Sequence, residues 1–299
     1  MKRSMLIALS VVGVVGAGQM GAGIAEVCVR AGTDVLVYET TPELAAAART
    51  RVLGSLDRGV SSGKLTERER DQASWRLTFT SELDDFADRQ LVVEAVVEDE
   101  DVKTGLFTTL DAIVTDPGAV LASSSSSIPI LKLGMATADP GRVIGMHFFH
   151  PVPVLPLVEL VGTMLTTSET SSRAEAFAHD VLGKQVVRSD DRSGYIVNAL
   201  LVPYLLSAIR MAESGFASVD DIDKGMTLGC AHPMGPLKVA DLVGLDTVKA
   251  IADKMYEEFR EPLYAPPPLL LRMVDAGRLG KKSGRGFYAY GAAPSTSKR

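Results

Sequence analysis

Val11-Val-Gly-Val-Val-Gly-Ala-Gly-Gln-Met-Gly21 is the stretch on which the fold turns. The β-branched run Val11 to Val15 reads as a strand, and the residues that follow, through Arg30, carry a helical pattern. At the junction lies Gly16-Ala-Gly18-Gln-Met-Gly21. Gly16 permits a tight turn, Gly18 lets the backbone approach a pyrophosphate, and Gly21 allows helix to pack closely on strand. The helix amino terminus, carrying roughly half a positive charge, then faces that pyrophosphate. A second strand at Val35 to Tyr38 completes a βαβ unit. Glu39 stands at its end, about twenty residues beyond the glycines, where a carboxylate accepts hydrogen bonds from ribose hydroxyls and repels a 2′-phosphate. A glycine turn alone is a weak signal, but strand, turn, helix and acid in this order predict a site for NAD in preference to NADP. Gly16, Gly18, Gln19, Met20, Gly21 and Glu39 are its expected cofactor-binding residues.

Working outward, a long helix starts near Pro42, and apolar runs recur at Leu91 to Val97, Ala119 to Ala122 and Val143 to Met146, separated by segments such as the helical Val102 to Ile113. This alternation predicts an α/β fold, a Rossmann-type doubly wound, mostly parallel sheet. From Ser193 the strand signal fades into helical patterns at Tyr195 to Glu213, Asp220 to Leu228, Asp246 to Phe259 and Pro268 to Ala276. An all-helical carboxyl-terminal domain is therefore expected. The polar, turn-rich segment Arg188 to Gly194 marks the boundary, giving a cofactor domain over 1–189 and a helical domain over 190–299.

Composition narrows the function classes. A chain of 299 residues with 46% hydrophobic residues buries a substantial core. Its net charge of −6 offers no broad basic field for a nucleic-acid backbone. Cys28 and Cys230 lie far apart, which fits neither a metal site nor a disulfide framework; both are expected to be small buried residues in a reducing cytoplasm. Lys2 and Arg3 before the apolar run Met5 to Ala17 imitate an export signal, but no small-residue cleavage site follows and the run leads into the glycine turn. The uncharged stretch Ser193 to Ile209 contains Asn198 and Pro203 and is shorter than the roughly 20 apolar residues of a spanning helix. No membrane partner and no metal are expected.

His147 follows an apolar strand, and the carboxyl ends of strands line the ligand crevice of an open α/β sheet. Oxidation of a secondary alcohol requires the hydroxyl proton to leave, and a neutral imidazole suits that task. Glu159 interrupts the apolar run Leu157 to Val161. A carboxylate among apolar neighbours needs a partner, and the imidazole is an economical one. Taken alone, a histidine at a strand end is more often structural; its companions change the balance.

Those companions are ordered motifs: Val14-Val-Gly-Ala-Gly-Gln-Met-Gly-Ala-Gly-Ile24, Val92-Val-Glu-Ala-Val-Val-Glu98, Met146-His-Phe-Phe149, Pro151-Val-Pro153, Leu157-Val-Glu-Leu160, Ser193-Gly-Tyr-Ile-Val-Asn198, His232-Pro-Met-Gly-Pro236, Asp241-Leu-Val-Gly-Leu-Asp246 and Lys281-Lys-Ser-Gly-Arg-Gly-Phe-Tyr288. From Val11 to Tyr290 the chain closely resembles the 3-hydroxyacyl-CoA dehydrogenase family, particularly its short bacterial 3-hydroxybutyryl-CoA members. The resemblance implies His147 as catalytic base and Glu159 as its orienting acid. It places Ser126 on the substrate's 3-oxygen, Asn198 near the thioester, Glu98 and Lys103 around the nicotinamide side of NAD, and Ser55 on the CoA portion. Lys64 is a further candidate for a CoA phosphate. It also implies a homodimer and entry of the thioester between the domains. Bland readings stand beside these: Ser55 and Lys64 as exposed polar helix and loop residues, Lys103 as a solvated one, Asn198 as a packing amide.

Two departures stand out. Ser123 to Ser127 replaces the family's Ser-Asn-Thr-Ser-Ser, and His150 replaces the asparagine of His-Phe-Phe-Asn-Pro. Each loses an amide that offers a donor and an acceptor at fixed separation. His150 is a candidate cofactor contact and a lesser rival base. The departures leave open an acyl-carrier-protein thioester or a free hydroxy acid as substrate, or a non-catalytic relative that keeps the fold.

Overall fold

The computed structural model describes residues 9–291. Lys2, Arg3 and the start of the run from Met5 lie outside them. The first unit alternates β1 (Val11–Val15), α1 (Gln19–Arg30), β2 (Asp34–Tyr38), α2 (Pro42–Ser61), α3 (Glu67–Trp75), β3 (Leu77–Thr80), β4 (Leu91–Glu94), α4 (Glu100–Ile113), β5 (Val120–Ser123), α5 (Ile130–Met135), β6 (Val143–Phe148), β7 (Leu157–Gly162), α6 (Ser168–Ala176) and β8 (Gln185–Asp190). The strands form one eight-stranded sheet in the order β3-β2-β1-β4-β5-β6-β7-β8. Every neighbouring pair is parallel except β6 and β7. The order reverses between β1 and β4, the switch point where such sheets bind dinucleotides.

Local sequence explains most helix starts. Thr41 caps α2 by accepting from the Leu44 amide, with Pro42 in the first turn. Thr66 and Glu69 close a capping box on α3. Asp99, Thr167 and Ser218 cap α4, α6 and the later α8 (Val219–Gly229) in the same manner. α1 is buried along most of its length, from Gly21 to Val29, which is why it reads as a near-continuous small and apolar run. Its core partners include Val12, Val14, Val93, Ile144 and Phe177.

The second unit holds α7 (Val197–Glu213), α8, α9 (Pro236–Val243), α10 (Leu245–Phe259) and α11 (Pro268–Asp275). It encloses a separate core around Leu205, Ile209, Leu237, Leu245, Met255 and Leu270. Among the described residues its only β pairings are isolated bridges at Gly280, Arg285 and Ala289.

Several expectations shift. The fourth strand stops at Glu94 rather than Val97, and β6 extends through His147 to Phe148. Arg188 to Asp190, read from their polarity as linker, are the end of β8, a half-exposed edge strand whose outer residues need not be apolar. The chain divides after Arg192, two residues past the end of β8. Cys28 is buried, and burial pushes its thiol up to about 12, but Cys230 is exposed, against expectation. Among the described residues no helix is long and apolar enough to cross a membrane.

Candidate active site

The glycine turn is built for an anion. Gly16 takes φ +82° and its amide donates to the Tyr38 carbonyl at 3.0 Å, turning the chain out of β1. A Cβ on Gly21 would lie 1.8 Å from the Gly16 carbonyl oxygen, so only glycine lets α1 come this close. A Cβ on Gly18 would meet nothing within 4 Å, leaving open space over the turn. No side chain caps α1, so its first-turn amides remain available to a ligand. Glu39 Oε1 accepts from the Ala17 amide at 2.6 Å, and the Arg51 guanidinium donates to the carbonyl of the same residue. Open space, uncapped amides and the Glu39 carboxylate together fit the pyrophosphate and ribose of NAD. Gln19 is exposed, whereas Met20 packs against the core.

On the β4–β5 side of the switch point the structure joins Glu98, Lys103 and Ser126 in one polar cluster. Lys103 is 1% exposed, and its Nζ lies 2.7 Å from Glu94 Oε1 and 3.1 Å from Glu98 Oε2. The alternative reading of Lys103 as a solvated helix residue is thereby set aside. Glu98 Oε1 accepts from the Ser125 hydroxyl, the Ser126 and Ser127 amides and the Ser127 hydroxyl at 2.6–3.1 Å. Burial raises the Glu98 carboxyl, but the Lys103 ammonium and the hydroxyl donors outweigh it and hold the group below the usual carboxylate range. Glu94, fully buried at the end of β4, was not anticipated. The signal was present: a carboxylate interrupting the apolar run Leu91 to Val97, the same pattern that singled out Glu159.

His147 and Glu159 face each other directly across the antiparallel β6–β7 pair. His147 Nδ1 lies 2.7 Å from Glu159 Oε2, with the residues 6% and 0% exposed. The Phe149 ring packs edge-on against the imidazole at 4.6 Å. Since a carboxylate only accepts, Nδ1 carries the hydrogen and Nε2 the basic lone pair. His150 Nε2 lies 3.0 Å from the Gln19 amide nitrogen, linking the loop after β6 to the first residue of α1. Lys184 clasps this loop from β8's approach, donating to the carbonyls of Val152 and Leu155, both at 2.6 Å.

The remaining candidates are more dispersed. Ser55 is half-buried on α2, one turn beyond Arg51. Lys64, exposed in the α2–α3 loop, lines a cavity of about 450 Å³ with Arg30, Pro153 and Lys184; Ser55 does not line it. Asn198 is 9% exposed in the first turn of α7, in the second unit.

Two family models cover nearly the whole chain: "3-hydroxyacyl-CoA dehydrogenase, NAD binding domain" over residues 11–192, and "3-hydroxyacyl-CoA dehydrogenase, C-terminal domain" over residues 194–290. A 3-hydroxybutyryl-CoA dehydrogenase of Mycobacterium tuberculosis is 66% identical over 283 residues, 95% of this chain and 99% of that protein. The mitochondrial hydroxyacyl-coenzyme A dehydrogenase of Homo sapiens is 40% identical, with 93% and 90% covered. The crystal structure of M. tuberculosis FadB2 superposes with a TM-score of 0.93 at 66% identity, covering 95% of this chain and 99% of that one. That of a (S)-3-hydroxybutyryl-CoA dehydrogenase from Ralstonia eutropha gives 0.90 at 40% identity, with the same coverage. Fold and cofactor turn therefore define an NAD-dependent oxidoreductase. Within that class, the chain belongs to the 3-hydroxyacyl-CoA dehydrogenase family.

Proposed function

We propose that the protein interconverts a short L-3-hydroxyacyl-CoA, such as 3-hydroxybutyryl-CoA, and its 3-keto form, with His147 as general base. The observation that carries this reading is the buried 2.7 Å contact between His147 and Glu159. NAD, when bound, supplies the hydride acceptor. His147 Nε2 takes the hydroxyl proton, and the Glu159 carboxylate fixes the ring and stabilises the imidazolium that forms. Ser126, held through its amide by Glu98, offers its hydroxyl to the 3-oxygen. Asn198 is assigned to the thioester and Ser55 to the CoA portion. Lys64 is assigned to a CoA phosphate; its cavity is lined by the cations Arg30 and Lys184 and also by the carboxylates Glu69 and Asp180. We further assign a cytoplasmic homodimer. The exposed apolar side chains Leu200, Phe216 and Leu228 of the second unit, 72–79% accessible, support a subunit contact, and light scattering tests it.

The test of the reaction is absorbance of reduced nicotinamide with acetoacetyl-CoA and NADH, repeated with a free 3-keto acid and with a carrier-protein thioester. Fast oxidation with the CoA ester is expected. His147→Gln should lower kcat by about 100-fold or more in a folded protein. Silence with every CoA ester, or full turnover by that variant, overturns the reading.

A further inference from the structure

Glu94 has no place in the reaction described above, yet it is fully buried and both of its carboxylate oxygens are engaged. Its Oε1 accepts from Lys103 Nζ and from the Val96 amide, each at 2.7 Å, and its Oε2 accepts from the Ser123 hydroxyl at 2.6 Å. All three partners donate, so the group is an ionised carboxylate. Ser123 passes the contact on, its hydroxyl accepting from the Ser125 amide at 3.1 Å. The Glu94 backbone carbonyl also accepts from the Ser124 amide, at 2.9 Å. One side chain thus ties the turn after β4, helix α4 and the serine run together.

The charges do not cancel. Glu94 and Glu98 are two carboxylates that each contact the one Lys103 ammonium, leaving one net negative charge. Glu94 and Lys103 are 0% and 1% exposed, which keeps solvent from screening them; the Glu98 side chain, 36% exposed, is the member that reaches the surface. The cluster closes the carboxyl ends of β4 and β5, while Glu39 and the glycine turn occupy those of β2 and β1. A dinucleotide laid across the switch point puts its adenosine half on the Glu39 side and its nicotinamide half on this one. The nicotinamide ring is cationic when oxidised and neutral when reduced. A fixed negative charge on its side attracts one form only.

We propose that Glu94 is an electrostatic positioning residue: by setting the cluster's single net negative charge, it favours oxidised over reduced nicotinamide at this site. The idea rests on the NAD site and not on the thioester substrate. Failure of every CoA ester would sink the proposed reaction and leave this inference untouched.

The experiment measures dissociation constants of NAD and NADH separately, without substrate, by titration calorimetry. In Glu94→Gln the cluster becomes neutral. The NAD constant should rise about fivefold or more while the NADH constant stays within about twofold, an effect the size of one poorly screened charge. A merely structural role would weaken both forms alike, and equal losses, or none, overturn the proposal. The double variant Glu94→Gln with Lys103→Met leaves Glu98 as the sole charge and restores the net value. Its NAD-to-NADH ratio should return to that of the unmodified protein, even if both affinities drop. Replacing a buried ion pair by neutral groups is often tolerated, so this variant decides the matter if the single one does not fold. A double-variant ratio displaced by fivefold also overturns the proposal.

Discussion

Ala17 is gripped from both sides, its amide by Glu39 and its carbonyl by Arg51. We assign cofactor choice to that arrangement. Glu39 repels a 2′-phosphate, while an arginine of the kind that accommodates one sits on the same residue. Glu39→Gln removes the repulsion and leaves the cation, so the ratio of NADPH to NADH turnover should rise at least about tenfold. An unchanged ratio in steady-state assays would show that the acid does not select the cofactor. His150 makes a second residue-scale prediction. Its Nε2 faces the Gln19 amide nitrogen, which donates, so the imidazole serves as a neutral acceptor. Burial holds its pKa below the ordinary imidazole value. The unfolded chain therefore binds the proton first. The contribution to stability is complete above the ordinary value and is lost as pH falls through the lower folded one. Melting temperature should fall more steeply in mild acid for the natural protein than for His150→Asn. At this scale the sequence revealed the partnership of a histidine at a strand end with an acid in an apolar run. It concealed Arg51 and Lys184, whose carbonyl partners are chosen by the tertiary fold, 34 and about 30 residues away.

The elements divide the same way. β1, α1, β2 and α2 announce themselves through a β-branched run, glycines, and a threonine–proline cap. α9 does not, because its amino terminus is capped from a distance. The Asp223 carboxylate on α8 accepts from the Leu237 and Lys238 amides at 2.7 and 3.0 Å, and no Ser, Thr, Asp or Asn stands immediately before Pro236 to supply a local side-chain cap. α3 escaped notice through its polar face, only Ala73 being buried, and β8 through its position at the sheet edge. Where an element is legible, single substitutions within it should separate fold from ligand. Gly18→Ala meets no atom in the protein and should melt as before, yet its methyl intrudes where a pyrophosphate approaches. NADH affinity should drop about tenfold. Gly21→Ala drives a methyl into the Gly16 carbonyl. It should cost about 1–3 kcal/mol of stability as well as cofactor binding. Calorimetric melts and NADH fluorescence titrations on the two variants distinguish the effects, and a Gly18→Ala protein that binds normally would contradict the assigned role of the turn.

Across the whole molecule, the residues assigned to the proposed function are distributed unevenly. The glycine turn, Glu39, Ser55, Lys64, Glu94, Glu98, Lys103, Ser126, His147, His150 and Glu159 all belong to the unit ending at Arg192, and Asn198 belongs to the other. The first unit also holds a hydrophobic core of its own, packed on a complete eight-stranded sheet, and a unit with its own core has the means to fold alone. Residues 1–192 expressed by themselves should therefore give a folded protein that binds NADH within about tenfold of the full chain, since every residue assigned to the cofactor is present. The same fragment should turn over acetoacetyl-CoA at less than about 1% of the full rate, because the proposed mechanism assigns the thioester to Asn198 and a misplaced thioester costs at least two orders of magnitude. Fluorescence titration and a turnover assay on one preparation give both answers. A folded fragment that cannot hold NADH would mean that the second unit contributes to the cofactor site, and turnover near the full rate would remove Asn198 from the mechanism.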